Sequence, residues 1–197
     1  MRIAKWAAPG IVVISLATPL AAQRSAGIVP LVVKTSLGDI GVDIDSAHAP
    51  RTATNFLRYV DAGRFRGGQF HRTVTLQNQP DSPVKIEVIQ GSVAPERVRD
   101  DFPPIAMEGT RTTGLRHVDG TLSMARAGAN SATSSFFITI GPQPELDAGG
   151  KRNPDGEGFA AFGRVTSGME IVRAIQRAPA NGQALTPAIR ITDVVRR

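Results

Sequence analysis

Between Gly67 and Thr166 the chain offers one short strand candidate after another: QFHRTV, KIEVIQG, GTLSMAR, SFFITIG and FAAFGRVT. Turn formers separate these segments and helices do not alternate with them, which argues against a doubly wound parallel sheet, whose strands need crossover helices. Short strands divided by turns lead instead to a sandwich or a barrel.

The flanking segments complete that outline. LVVKTSLGDIGVDID (31 to 45) reads as two strands joined near Gly38, with Ile40, Val42 and Ile44 alternating with Gly41 and Asp43, the period of a half-buried strand. In APRTATNFLRYVDAGRF, Pro50 suits a first helical turn, Ala53, Phe56, Leu57 and Val60 fall at helical spacing, and Gly63 can close the helix in a left-handed cap. SGMEIVRAIQRAP predicts a second helix: Ser167 and Glu170 have capping-box spacing, Met169, Val172 and Ile175 share a face, and Pro179 ends it. AIRITDVVR alternates again as a last strand, and turn-rich stretches at 75 to 85 and 147 to 158 are the long loops. The expected fold is mainly β: an antiparallel barrel, closed so that no edges remain, with two helices over its open ends.

The N-terminus departs from this pattern. MRIAK is basic, WAAPGIVVISLATPLAA is apolar and uncharged, and QRSAG is polar again, the order of a secretory leader. A retained anchor is the alternative, but the apolar run is short of the ~20 residues that span a bilayer, and it contains Pro9 and Pro19. The expected organisation is a signal peptide over 1 to 22, cleaved after Ala21 or Ala22, a linker over 23 to 29 and one domain over 30 to 197. A bacterial periplasm or the cell exterior is the expected location, with no membrane contact after cleavage. With no cysteine in the chain, neither disulfides nor a thiol nucleophile are available, and stability must come from packing.

Composition removes several functions. The net charge of +6 falls by two when Arg2 and Lys5 leave with the leader, and the remaining basic residues are scattered. One Trp and one Tyr provide no stacking platform among them, so no nucleic-acid partner is expected. The nucleotide-binding, zinc-protease and serine-hydrolase motifs are missing. His48, His71 and His117 show no ligand spacing, so no metal site is expected, and the NPDGEG segment reads as a solvated turn.

GGQFHRTV (67 to 74) places a histidine beside an arginine. In isolation Arg72 reads as a solvated residue on a strand. Its context alters that reading: FLRYVDAGRFRGGQFHRTV, IEVIQG, GTLSMARAGANSATSSFFIT, ELD and FAAFGRVTSGMEIVRAI occur in order and together resemble the cyclophilin family of peptidyl-prolyl cis-trans isomerases, from about Val32 to Val195. The resemblance implies an eight-stranded antiparallel barrel capped by two α-helices, a reaction on proline-containing polypeptides without covalent chemistry, and no cofactor. An X-Pro bond rotates slowly because twisting the amide sacrifices resonance, a barrier of roughly 18–20 kcal/mol. By its place in FHR, Arg72 is implied to donate to the prolyl nitrogen of the twisted amide, with His71 as a neighbour shaping the groove. The resemblance also implies a proline pocket from Val88, Phe137, Leu146 and Phe159, with Gln90 and the backbone of Ala125 and Arg126 holding the peptide. Alternation along the strand makes Phe136, not Phe137, the core residue.

Three positions depart from the family pattern. The loop between Arg72 and Gln90 is longer and ends in Glu87 where an aromatic is usual, Ser135 replaces a glutamine, and Glu145 replaces an aromatic. They support the alternative of a cyclophilin-like module that binds Pro-containing segments with little turnover. A hydrolase has no nucleophile and base that the sequence assembles. A closed barrel gives no reason to expect anything but a monomer.

Overall fold

The computed structural model describes residues 27 to 197, so the expected signal peptide lies outside the described residues. The strands are β1 (Ile28–Thr35), β2 (Gly38–Asp45), β3 (Gln69–Val74), β4 (Val88–Ser92), β5 (Thr121–Met124), β6 (Phe136–Thr139), β7 (Ala160–Ser167), β8 (Ala180–Asn181) and β9 (Ala184–Arg196). β1 begins at Ile28, inside the segment expected to be linker. The helices are α1 (Pro50–Asp61), α2 (Thr110–Thr113) and α3 (Met169–Gln176).

The strands hydrogen-bond in the order β1-β2-β7-β5-β6-β4-β3-β9, and β1 pairs back to β9, closing an antiparallel barrel of eight strands; β8 is a two-residue addition folded onto β9. Closure leaves the main ladder without a free edge. This is the expected mainly β architecture, with the single turn of α2 added to the two expected helices.

Both longer helices bury an apolar face against one core. Phe56 on α1 is fully buried and touches Phe65, Phe136 and Phe162 at ring separations of 5.0, 5.3 and 5.1 Å. Val172 and Ile175 on α3 join the same cluster. Each such side chain contributes about 1.5–3 kcal/mol through the area it removes from water. α3 packs at the start of β2, where a Cβ on Gly38 would come within 2.8 Å of Ile171, and α1 starts just beyond the end of that strand. The two helices therefore serve opposite ends of the barrel.

The helix ends are built from distant residues. α1 has Pro50 in its first turn and no local side-chain cap. The Glu108 carboxylate instead accepts from Arg51 N (3.1 Å), Thr52 N (2.7 Å) and Thr52 Oγ1 (2.8 Å), filling orphan donors at the positive end of the helix. Gly63, at φ +60°, ends this helix as expected. The expected capping box at α3 does not form. Ser167 is still paired to Gly41 in the β2–β7 ladder, and the N-cap is Gly168 at φ 84° with no side-chain hydrogen bond.

Candidate functional site

The outer face of the barrel carries a second, smaller apolar cluster. Val74, Ile86, Val88, Phe137 and Leu146 are buried together, with Ala125 and Phe159 packed against them. Register explains the grouping: Arg72 pairs with Gln90, Gln90 with Phe137 and Phe137 with Ser123. Directly paired residues share a face, so one row across β3, β4, β6 and β5 carries all four side chains. The adjacent row, Phe70, Gly91, Phe136 and Met124, faces the opposite way into the main core. Phe136 is the core residue and Phe137 the outer one.

Strict alternation would put Arg72 on the same face as Phe70. The register shift between Phe70 and Arg72 leaves His71 as an extra residue, and such a bulge reverses the facing of everything beyond it. Arg72 and Val74 consequently join the outer row, while Thr73 turns inward and its hydroxyl donates to the Gln176 carbonyl at the end of α3 (2.9 Å).

Arg72 is half-buried and held entirely by neutral acceptors. Nε and Nη2 donate to Gln183 Oε1 (2.9 and 2.6 Å), and Nη1 donates to Gln90 Oε1 (3.0 Å). Gln183 is itself anchored, donating from Nε2 to the Asn78 carbonyl (3.1 Å) and accepting Thr73 N at its backbone carbonyl (2.9 Å). A guanidinium has five N–H donors, so three bonds leave two donors for a ligand. Burial, and then the charge of Arg152, push the Arg72 pKa down, from a value so high that the group stays protonated at any physiological pH.

Beside Arg72 lies a cavity of about 240 Å³. Eight residues picked from the sequence line it: Arg72, Val88, Gln90, Ala125, Arg126, Phe137, Leu146 and Phe159. His71, at the bulge, does not line it, and burial pushes its pKa down. Phe137 and Phe159 meet edge to face at 5.2 Å and form an apolar corner. The Arg126 side chain is committed within the protein, donating to Gly158 O (2.8 Å) and bidentately to Asp155 (2.7 and 2.8 Å). These bonds hold the Asp155 pKa down at about 2. The Ala125 amide donates to the Ser135 carbonyl (2.9 Å).

Ile86, Arg152 and Asn153 also line the cavity, and the sequence did not point to them. Ile86 follows the first long loop and the second supplies Arg152 and Asn153, and Arg152 pins the loops together: its Nη1 reaches Gln79 Oε1 (2.9 Å), Ser82 Oγ (2.7 Å) and the Val84 carbonyl (2.6 Å). Gly158 permits the fold-back of the second loop. At φ +65°, a Cβ there would sit 2.5 Å from the Asp147 carbonyl carbon. Glu87 faces elsewhere, accepting from Gln176 Nε2 (3.2 Å), and the fully apolar Ile86 takes the wall position on the cavity side. Glu145 accepts from Lys151 N (2.8 Å) inside its own loop.

Behind Phe137 the structure assembles a triad that sequence spacing gave no reason to expect. His117 Nδ1 bonds Asp147 Oδ1 (2.7 Å), Nε2 bonds Ser123 Oγ (2.9 Å), and the imidazole stacks on Phe137 at 5.9 Å. The arrangement resembles a hydrolase's nucleophile and base, but Ser123 and the His117 side chain are 0% exposed, so no substrate carbonyl reaches them. Burial pushes the His117 pKa down against the opposing pull of Asp147, and the neutral ring serves as the rigid backing of Phe137. Among the described residues no three His, Asp or Glu side chains are grouped to hold a metal ion.

A closed barrel carries on its outer wall a cavity with an apolar corner and three forked cations, and among the described residues no nucleophile is both assembled and accessible; such a site is equipped to act by shape and charge. The family model described as "Cyclophilin type peptidyl-prolyl cis-trans isomerase/CLD" matches residues 30–196. A peptidyl-prolyl cis-trans isomerase of Streptomyces antibioticus is 35% identical over 73% of this chain and 81% of its own. Isomerase A of Dickeya dadantii is 33% identical over 75% of this chain and 70% of its own. A crystal structure of a Cryptosporidium parvum cyclophilin, determined in the presence of the dipeptide Ala-Pro, superposes with a TM-score of 0.68 at 22% identity, covering 85% of this chain and 98% of that one. The chain belongs to the cyclophilin-type peptidyl-prolyl cis-trans isomerases and is an enzyme of that class.

Proposed function

We propose that the proline ring of a polypeptide enters the cavity between Val88, Phe137, Leu146 and Phe159, and that Arg72 accelerates X-Pro rotation by donating to the prolyl nitrogen. In the planar ground state the nitrogen lone pair is delocalised and accepts poorly. Twisting the amide returns it to nitrogen, so the hydrogen bond forms only as the barrier is approached and raises turnover more than affinity. The observation that carries this reading is the guanidinium fixed by Gln183 and Gln90 with donors to spare beside the apolar corner of the cavity. Such a preorganised donor is worth about 2.7–4 kcal/mol by comparison with a single oxyanion-hole donor. No bond is broken and no proton moves, so no cofactor or general base is required.

The substrates under this reading are proline-containing polypeptides, in keeping with the Ala-Pro present with the Cryptosporidium relative. The leader-like order of residues 1 to 22 supports a role in the folding of exported proteins, where X-Pro isomerisation is a slow step, in a bacterial periplasm or outside the cell. Conversion of X-Pro tetrapeptides by the mature chain and by Arg72→Ala tests the mechanism, and equal acceleration by both proteins would reject it. Mass spectrometry of the protein recovered from the periplasm tests the export reading, for which an N-terminus near Gln23 is expected and an intact Met1 is the contrary result.

A further inference from the structure

Arg152 lines the same cavity as Arg72 and Arg126, and it has no role in the mechanism above. Only its Nη1 is engaged, with the three acceptors of the 75 to 85 loop. Among the described residues, Nε and Nη2 have no hydrogen-bond partner, and neither belongs to the buried atoms left unsatisfied. These donors therefore remain open to solvent on a residue that lines the cavity.

The charge around them is unbalanced. Of the three arginines lining the cavity, Arg126 is neutralised by Asp155. Among the described residues, neither Arg72 nor Arg152 has a carboxylate within ion-pair range, and no Asp or Glu lines the cavity. The two guanidiniums also sense one another, because the charge of Arg152 adds to burial in lowering the Arg72 pKa. Two like charges at one partly desolvated cavity attract an anion and repel a cation.

We propose that Arg152 is a specificity residue that selects substrates bearing an Asp or Glu carboxylate next to the isomerised proline. The carboxylate accepts from the free Nε and Nη2 edge of the guanidinium, whose forked geometry suits it. Nη1 meanwhile stays with the loop, so Arg152 is already in place before the substrate arrives. The inference rests on the assignment of this cavity to the proline ring. It also gives the longer loop a purpose: Gln79, Ser82 and Val84 hold the selecting cation at the cavity wall.

The test is a set of X-Pro tetrapeptides with Glu, Gln or Lys immediately before or after proline, measured for kcat/KM and for Kd by titration. On at least one flank the wild type should favour Glu over Lys by about tenfold at low ionic strength, as expected for attraction exchanged for repulsion. The ratio should shrink in about 0.5 M salt, where screening is short-ranged. It should collapse in Arg152→Gln and persist in Arg152→Lys, which keeps the charge but loses the fork. Equal Glu and Lys values in the wild type, or a ratio unchanged in Arg152→Gln, overturns the proposal. If Arg152→Gln does not fold, the salt dependence and Arg152→Lys decide it. The Kd ratio needs no turnover, so it separates failure of this inference from failure of the Arg72 mechanism: Arg72→Ala should still bind the Glu peptide in preference to the Lys peptide.

Discussion

Removing the Gln183 side chain should disable Arg72 without touching it. Gln183 Oε1 accepts two of the three hydrogen bonds that orient the guanidinium, at 2.9 and 2.6 Å. In Gln183→Ala the backbone bond from Thr73 N to the Gln183 carbonyl survives, so the strand should hold its place. Hydrogen bonds to a charged group are worth about 1.5–3 kcal/mol each, but Arg72 is half-exposed and water replaces much of what is lost. The expected change in folding stability is therefore small, about 1 kcal/mol. The kinetic effect should be larger, because a donor displaced by about 1 Å loses on the order of 100-fold in rate. We expect kcat/KM to fall by roughly 10- to 100-fold, chiefly through kcat, since the proposed Arg72 bond would form only in the twisted state. Protease-coupled or fluorescence assays of cis-to-trans conversion, beside a urea titration, measure both quantities. A kcat within about twofold of wild type, or a loss confined to KM, would refute the reasoning that Gln183 positions the catalytic donor.

Two further outcomes follow from the side chains around the cavity. Glu87→Phe should leave turnover on apolar substrates within about twofold of wild type, because Glu87 faces Gln176 while Ile86 supplies the wall; a marked gain in the same assay would show that the position does reach the pocket. Stability should fall on acidification below the ordinary histidine value of about 6.5, since burial lowers the folded pKa of both His117 and His71. In that window the unfolded chain binds more protons, so the stability present at neutral pH is lost as pH falls. Thermal melts from pH 7.5 to 5 should show the trend, with a shallower slope in His117→Gln; an identical slope in that variant would remove His117 from the explanation.

The barrel was legible because each strand carries its own period and turn signals. QFHRTV was read as a strand and spans Gln69–Val74 in the structure. The pocket residues were legible only through the resemblance of their ordered motifs to the cyclophilin family; the strand register and the turn at Leu146 are what bring Arg72, Gln90, Phe137 and Leu146 to one cavity. What could not be read depended on contacts across long sequence separations. Gln183 lies on the far side of the chain from Arg72, and nothing local marks it as a partner. The His71 bulge, which turns Arg72 outward, arises from pairing against both neighbouring strands and leaves no compositional trace. Ser167 had capping-box spacing, but the ladder with Gly41 kept it in β7, a case of tertiary pairing overriding a local signal. Ile86 was read inside the strand candidate KIEVIQG, but the strand begins at Val88, and Arg152 comes from a loop whose turn-rich composition says where the chain bends but not which side chains point back into the cavity.

The central claim is that Arg72 acts on the twisted amide and not on the resting peptide. Exchange NMR on an X-Pro peptide bound to the enzyme measures the on-enzyme interconversion rate and the Kd in one experiment. The account predicts that Arg72→Ala slows that rate by about 100- to 1,000-fold, while Kd changes by no more than about threefold. An unchanged interconversion rate accompanied by weaker binding would contradict it.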